Sequence, residues 1–312
     1  MSDALQPYRG GVSEAVPSTS EQTILGEGLR WDAGRGELLR VDIAAGQVFR
    51  EKVADDGSLI PIRTYPLPGT VGAIAPLEGD RGWTLAAGRG FAALGPDGAF
   101  TVIAEVASEG SRMNDGAADP HGRFWAGTVA GRPGAAVLYR LERDGRVDAM
   151  LDGLTTSNGI GWSPDGCTMY LADSGPRLIH AFDFNGGAGT ISRGRVLVEV
   201  PDDVGTPDGL TVDAAGDLWV AIWGGGRVHQ YSAAGELRGV LAVPAAQTTS
   251  CAFGGSGLHR LYVTTATEDW TDDERRADPK AGLVYRFETD ATGRPADPFR
   301  PDPAWWTTVI GH

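Results

Sequence analysis

Cysteine is scarce in this chain, and its scarcity excludes two classes of protein at once. Only Cys167 and Cys251 occur, and they form no Cys-x-x-Cys pair, so zinc fingers and disulfide frameworks are excluded. We expect both thiols to stay reduced and to serve packing. Long apolar runs are also lacking, since no stretch approaches the roughly 20 residues of a membrane-spanning helix. The first 25 residues contain neither the basic nor the apolar segment of a signal peptide. The sequence therefore predicts a soluble protein of a reducing cytoplasm.

Positive charge is in short supply as well. Lys and Arg total 27 against 41 Asp and Glu, which gives a formal net charge of −14. Such a balance argues against nucleic acid or an anionic membrane surface as a partner. Its simplest interpretation is solubility, and a second is an acidic channel mouth that concentrates a cation.

Glycine, by contrast, is abundant at 46 residues, as in chains with many tight turns. A short turn that ends in Gly and precedes an apolar strand occurs six times, at 32–36, 76–79, 119–122, 163–166, 213–216 and 254–257. The best aligned turns recur at the roughly 40–50 residues of a propeller blade. The sequence predicts an all-β fold, a six-bladed β-propeller of four-stranded antiparallel blades around a central channel. We expect residues 1–312 to form this single domain, with about 1–14 frayed.

Two segments leave alternatives open. The last blade needs an outer strand, which either the head segment 15–25 or the tail residues 305–309 could supply. The segment 267–279 interrupts the β pattern, and Thr271 with Glu274 three residues later forms a capping box. It is interpreted either as a helical turn on a loop of the last blade or as a lid over one face of the channel.

The repeat aligns one position in every blade, five residues before each turn begins. The six residues at that position are Glu27, Val71, Asn114, Asn158, Asp208 and Thr249. Equivalent positions lie at one height around the axis, so these side chains can converge on the channel mouth. Four of them are carboxylate or amide oxygen donors, which suits a hard divalent cation. The alternative is that Asn-Gly and Asp-Gly are ordinary turn dipeptides.

Five ordered blocks, within about residues 20–290, carry a family resemblance. They are Leu25-Gly-Glu-Gly28, Arg112-Met-Asn-Asp-Gly116, Ser157-Asn-Gly159, Pro207-Asp-Gly209 and the segment 248–255. In this order they resemble the gluconolactonase/regucalcin (senescence marker protein) family of six-bladed propeller lactonases.

The resemblance implies a role for each matching residue. One divalent ion, whether Ca²⁺, Zn²⁺, Mn²⁺, Mg²⁺ or Fe²⁺, would be held by Glu27, Asn158 and Asp208. Arg112 and Asn114 would bind substrate, and Asp208 would also be the candidate general base. The alternative for Arg112 is a surface ion pair with Glu109 or Asp115. Arg132 stands near a position where some sugar-lactonase relatives have a substrate-binding Glu, which leaves the substrate open.

These residues predict metal-dependent hydrolysis of a small, sugar-derived lactone, in which the cation polarises the carbonyl. Alternatives are a related esterase or phosphotriesterase on the same site, or a non-catalytic cation- or sugar-binding propeller. The expected partner is a small molecule, and the expected state is a monomer or a weak homo-oligomer. Asp42 and Asp173 are expected to accept backbone hydrogen bonds between blades, and the histidines to be structural.

Overall fold

A computed structural model describes residues 14–79 and 81–310 and contains six four-stranded antiparallel sheets arranged as a six-bladed β-propeller. The predicted fold class is confirmed.

Within each of blades 1 to 5 the strands pair in chain order. The strands of blades 1 to 3 are β2 (Gly26–Asp32), β3 (Glu37–Asp42), β4 (Gln47–Val53), β5 (Leu59–Pro66), β6 (Val71–Pro76), β7 (Trp83–Ala87), β8 (Gly90–Leu94), β9 (Phe100–Glu105), β10 (Arg112–Ala118), β11 (Phe124–Val129), β12 (Ala136–Leu141) and β13 (Val147–Leu154). Those of blades 4 and 5 are β14 (Ser157–Trp162), β15 (Thr168–Asp173), β16 (Leu178–Asn185), β17 (Thr190–Glu199), β18 (Thr206–Val212), β19 (Leu218–Trp223), β20 (Arg227–Tyr231) and β21 (Leu237–Ala242).

Blade 6 is completed by the head of the chain. It contains β22 (Thr248–Gly254), β23 (Arg260–Thr265), β24 (Tyr285–Glu288) and, as its outer strand, β1 (Val16–Pro17). Val16 is opposite Arg286 and Pro17 is opposite Tyr285. Of the two alternatives for ring closure, the head segment is therefore correct. The tail residues 305–309 instead lie in the helix α2 (Pro303–Ile310).

Burial falls from the channel outward within each blade. In blade 2, the first strand β6 and the third strand β8 are buried throughout. The outer strands of blades 1 and 4, β5 and β17, are mostly exposed. Inner strands touch neighbouring blades on both faces, so they need apolar or small residues at successive positions rather than a two-residue alternation. The core consequently lies between blades, around the channel.

Asp side chains stabilise the recurrent turns. Asp213 accepts hydrogen bonds from the backbone N–H groups of Ala215 and Asp217 and from Nε1 of Trp219, each at 2.9 Å. Asp119 makes the same set of contacts in blade 3, where Trp125 Nε1 donates at 3.0 Å. One carboxylate thus fixes both the turn and the Trp at the second position of the following strand.

The segment 267–279 contains the short helix α1 (Asp272–Ala277), and both hydrogen bonds of its capping box are present. Further along, residues 289–302 cross the channel end opposite the Glu27 end of β2. There Ala296 N–H donates to the carbonyl of Trp31 and Phe299 N–H donates to that of Pro76. Among the described residues, neither helix is long and apolar enough to cross a membrane.

Several smaller expectations can be compared with the structure. Asp42 accepts backbone N–H bonds from Ile24 and Leu25, and Asp173 accepts them from Thr155 and Thr156. Both therefore accept backbone hydrogen bonds as predicted, but the donors lie in the segment that leads into the inner strand of the same blade. Cys251 is buried, but Cys167 is exposed on a turn, so the packing role expected of Cys167 is wrong. Residues 1–13 lie outside the described residues, and the expectation that the start of the chain is frayed stays a prediction.

Candidate metal centre and substrate cavity

Every inner strand carries an irregularity at or beside the aligned position. The pairing register shifts between Glu27 and Arg30 in blade 1, and between Pro207 and Leu210 in blade 5. The inner strands of the other four blades shift at the same place. A bulge of this kind redirects a side chain out of the alternating pattern. The repeat therefore gives each blade a bulge at this position, and in four blades the aligned side chain lines the channel mouth.

Glycine after the aligned residue lets neighbouring inner strands approach each other. A Cβ atom added to Gly159 would lie 2.5 Å from the carbonyl oxygen of Asp208, and Gly28 has a φ of +63°. Any larger residue at Gly159 would push blade 4 away from blade 5. These glycines keep the ring of aligned residues narrow.

A cavity of about 250 Å³ lies at this end of the channel. It brings together all five predicted site residues, which are Glu27, Arg112, Asn114, Asn158 and Asp208. Val71 and Thr249, the other two aligned residues, do not line this cavity. The Thr249 hydroxyl instead lies within hydrogen-bond distance of the Gly26 carbonyl and the Thr264 hydroxyl. Two further cavities, of about 80 and 540 Å³ beside the 289–302 segment, contain none of the predicted site residues.

The two asparagines differ in what their amide groups can offer. Ser174 Oγ donates to the carbonyl of Pro207 at 2.7 Å, so it can only accept from Asn158 Nδ2, which lies 3.0 Å away. This contact points Asn158 Oδ1 away from Ser174, and that buried oxygen has no hydrogen-bond partner among the described residues. Asn158 therefore presents an unused acceptor.

Asn114 is held differently. Its Oδ1 accepts from Arg112 Nη1 at 2.7 Å, and its Nδ2 donates to the carbonyl of Ser157 at 3.1 Å. Because its oxygen is already engaged, Asn114 is a weaker candidate for a metal ligand than Asn158. Arg112 in turn donates to Asn114 and to the Met113 carbonyl, and the Glu109 or Asp115 ion pair suggested as its alternative is not among its contacts.

Two buried carboxylates stand close together in the cavity. Burial raises the pKa of the Glu27 carboxyl, and the nearby Asp115 carboxylate raises it further, to about 8. Burial also raises the pKa of Asp208 well above its usual range, with further contributions from Glu27 and Asp115. The side chain of Asp208 also interacts with that of Asn158, and its Oδ1 has no partner within the described chain.

Asp115 does not line this cavity. Its carboxylate is buried and accepts from Arg30 Nη2 at 3.1 Å and from the Gly116 N–H at 2.7 Å. It adds negative charge close to Glu27 and Asp208 while being committed to Arg30.

The residues present fit a divalent cation. Two buried carboxyl groups, each with a pKa raised by burial and by a neighbouring carboxylate, lie beside an amide oxygen that lacks a donor. Together they form an oxygen cluster whose negative charge a hard cation would neutralise. The cluster contains two acidic residues and one amide. Over the described parts of the chain, no three His, Cys, Asp or Glu side chains form a metal-binding group of their own.

One charged residue of the cavity escaped the analysis of the sequence. Glu268 follows β23 and lines the cavity, although it belongs to no aligned position and no motif. Its only signal was the interrupted β pattern at 267–279. Arg132, in contrast, is exposed and does not line the cavity.

Residues 25–267 match the profile of the SMP-30/Gluconolactonase/LRE-like region. The chain belongs to this family. Relatives include the pentonolactonase XacC of Haloferax volcanii, which is 34% identical over 89% of this chain and 94% of its own. The regucalcin of Xenopus laevis is 35% identical over 86% of this chain and 92% of its own. Among solved structures, the calcium-binding protein regucalcin from Agrobacterium tumefaciens superposes with a TM-score of 0.85 at 29% identity, covering 94% of this chain and 98% of that one. The family resemblance inferred from the five sequence blocks is thus confirmed.

Proposed function

We propose that this protein hydrolyses small, sugar-derived lactones with the help of one divalent metal ion held by Glu27, Asn158 and Asp208. The observation that supports this function best is the convergence of two buried carboxylates and an unengaged amide oxygen beside Arg112 in one cavity. Relatives named pentonolactonase and regucalcin agree with a lactone substrate and a bound cation.

Each residue has a distinct part in the proposed reaction. A divalent cation at this position would polarise the ester carbonyl as a Lewis acid. Asp208 accepts a proton from the water that adds to the carbonyl carbon, and it returns that proton to the ring oxygen when the C–O bond breaks. Glu27 supplies negative charge to the cluster, and Ser174 holds the Asn158 amide in its orientation. Arg112 and Asn114 orient the lactone through hydrogen bonds.

A metal titration combined with a lactone panel tests this proposal. Protein freed of metal by a chelator is loaded with Ca²⁺, Zn²⁺, Mn²⁺, Mg²⁺ or Fe²⁺. The acid released on hydrolysis is then followed with aldonolactones, an aryl ester and a phosphotriester as substrates. We expect turnover of an aldonolactone that requires a metal and exceeds turnover of the other two substrates. Faster turnover of the aryl ester or phosphotriester would favour the related esterase activity on the same site.

A non-catalytic cation-binding protein is the second candidate, because two of the relatives are named regucalcin and one of them a calcium-binding protein. The same titration separates the two functions. Tight metal binding measured by calorimetry, without hydrolysis of any lactone in the panel, would support cation binding alone.

A further inference from the structure

Glu268 is a carboxylate of the cavity that the proposed reaction does not use. It lies just after β23 in blade 6, near the start of the 267–279 segment and before α1. Its side chain is half-buried. Within the described residues its carboxylate makes no hydrogen bond. Arg112 lines the same cavity. Burial raises the pKa of the Glu268 carboxyl, and the charge of the Arg112 guanidinium counteracts that shift.

The backbone at Glu268 is held in place from two sides. The Gln247 side chain accepts from the Glu268 N–H at 2.8 Å and donates to the Glu268 carbonyl at 3.0 Å. The buried Thr267 donates through its N–H to the Ile24 carbonyl at 2.9 Å and through its hydroxyl to the Thr23 carbonyl at 3.1 Å. Four hydrogen bonds thus fix the start of an otherwise exposed segment, and they aim one carboxylate at the cavity.

We propose that Glu268, which lines the cavity together with Arg112, is a specificity-determining residue that accepts hydrogen bonds from the hydroxyl groups of a neutral, polyhydroxylated substrate ring. The inference rests on the proposed function, since it assigns the substrate class of that same site. An ionised carboxylate only accepts hydrogen bonds, and a guanidinium only donates them. A ring hydroxyl can do both, so it can be held between the two groups.

The negative charge of Glu268 also selects against anionic substrates. The Glu27 and Asp208 carboxylates would be neutralised by the cation of the proposed function, so the Glu268 carboxylate is the one that is left with its charge in the cavity lining, where Arg112 is the cationic residue. A substrate that carries its own carboxylate would meet Glu268 in a partly desolvated space, where like charges repel more strongly than in water. Neutral polyol lactones are therefore favoured over acidic ones.

Three lactones and three variants test this subsite. Glucono-1,5-lactone carries ring hydroxyls, δ-valerolactone has the same ring without them, and a glucarolactone adds a carboxylate. In Glu268→Ala we expect KM for gluconolactone to rise about tenfold or more, because a hydrogen bond to a charged group is lost, with kcat changed much less. The kcat/KM ratio of gluconolactone to valerolactone falls accordingly. In Glu268→Gln, which keeps an acceptor but no charge, gluconolactone turnover is largely restored and glucarolactone turnover rises several-fold.

Asp269→Asn is the matched control. Asp269 is exposed, adjoins Glu268 and does not line the cavity, so removing its charge leaves the substrate preference of the wild type. An equal loss for gluconolactone and valerolactone in Glu268→Ala would mean a merely structural role and would overturn the proposal. If glucarolactone turnover rose equally in Asp269→Asn and Glu268→Gln, the charge of Glu268 would not be what selects against anionic substrates.

A binding measurement keeps the test independent of turnover. The cyclic polyol 1,5-anhydroglucitol has the hydroxylated ring but no carbonyl, and its binding to the wild type and to Glu268→Ala can be compared by calorimetry. We expect at least a tenfold loss of affinity in the variant. Equal affinities would refute the role of Glu268, even if the wild type hydrolyses lactones. If the wild type hydrolyses no lactone, the proposed function fails, while the calorimetric comparison still decides whether Glu268 binds polyols.

Discussion

Asp208 and Glu27 are both buried carboxylates of the cavity, but the proposed reaction gives them different tasks. Asp208→Asn keeps an oxygen of nearly the same shape and removes the proton acceptor. We expect kcat to fall by about 10² to 10⁴ even at saturating metal, with the far-UV circular dichroism spectrum unchanged. Glu27→Gln removes charge from the cation site and leaves the base, so high metal concentration should restore most of its turnover. Full rescue of Asp208→Asn by metal would reduce Asp208 to a ligand.

The raised pKa of Glu27 also predicts how stability depends on pH. Between its ordinary value of 4.5 and about 8, folded protein without metal holds a proton that the unfolded chain releases. Stability must therefore fall as pH rises through this window, and the raised pKa of Asp208 acts in the same sense. In a chelating buffer we expect the melting temperature to decrease from pH 5 to pH 8, and to decrease less in Glu27→Gln. An equal decrease in both proteins would contradict this account.

At the residue scale, the repeat is what made the cavity predictable. Equivalent positions in a propeller lie at one height, so Glu27, Asn158 and Asp208 could be aligned from turn spacing alone. The spacing could not distinguish Asn158 from Asn114, because the difference lies in the Ser174 and Arg112 contacts that form only in the folded chain. Glu268 could not be predicted, since the distant Gln247 side chain fixes its position. That the aligned residues act as ligands and base stays a prediction.

The turn that joins the two innermost strands of a blade is an element on which stability depends. The Asp213 carboxylate accepts hydrogen bonds from three N–H groups, and Asp213→Ala leaves all three donors without this acceptor. Because buried unsatisfied donors cost about 1–3 kcal/mol each, we expect a loss of about 2–4 kcal/mol in the free energy of unfolding, measured by urea denaturation.

Blade 4 supplies the matched control for this element. Asp165 lies in the equivalent turn of this blade and is exposed. Its carboxylate accepts hydrogen bonds from the Ser163 hydroxyl and the Cys167 N–H. Asp165→Ala should cost less than about 1 kcal/mol. If both variants lose the same amount, the contact with Trp219 does not stabilise the blade.

Elements at the chain ends were the least predictable. The closing strand β1 has two residues and shows no pattern of its own, so only its pairing with β24 reveals it. The tail, with two Trp and several β-branched residues, has the composition of a strand. It is nevertheless helical, and Trp305 and Trp306 both pack against Phe299. Tertiary packing therefore overrides local preference at this end of the chain.

For the whole molecule, the cavity exists only when the ring is closed. Glu27 comes from blade 1, Arg112 and Asn114 from blade 3, Asn158 from blade 4, Asp208 from blade 5 and Glu268 from blade 6. A cation held by Glu27, Asn158 and Asp208 would join three blades, while the net charge of −14 would favour its approach. The single domain over residues 1–312, the monomeric or weakly associated state and the cytoplasmic location stay predictions.

This arrangement predicts that metal reverses the order of stability between two proteins. In a chelator at pH 7, Glu27→Gln should melt at a higher temperature than the wild type, because the buried Glu27 carboxyl, with its pKa raised to about 8, must take up a proton on folding, whereas Gln is neutral without one. With metal the wild type gains more, since ligand binding at about 100 times Kd adds about 2.7 kcal/mol and the variant binds more weakly. The melting curves should therefore cross as metal is titrated, whereas Asp269→Asn should follow the wild type throughout. If the order stays the same at every metal concentration, the buried carboxylates are not held together by a cation.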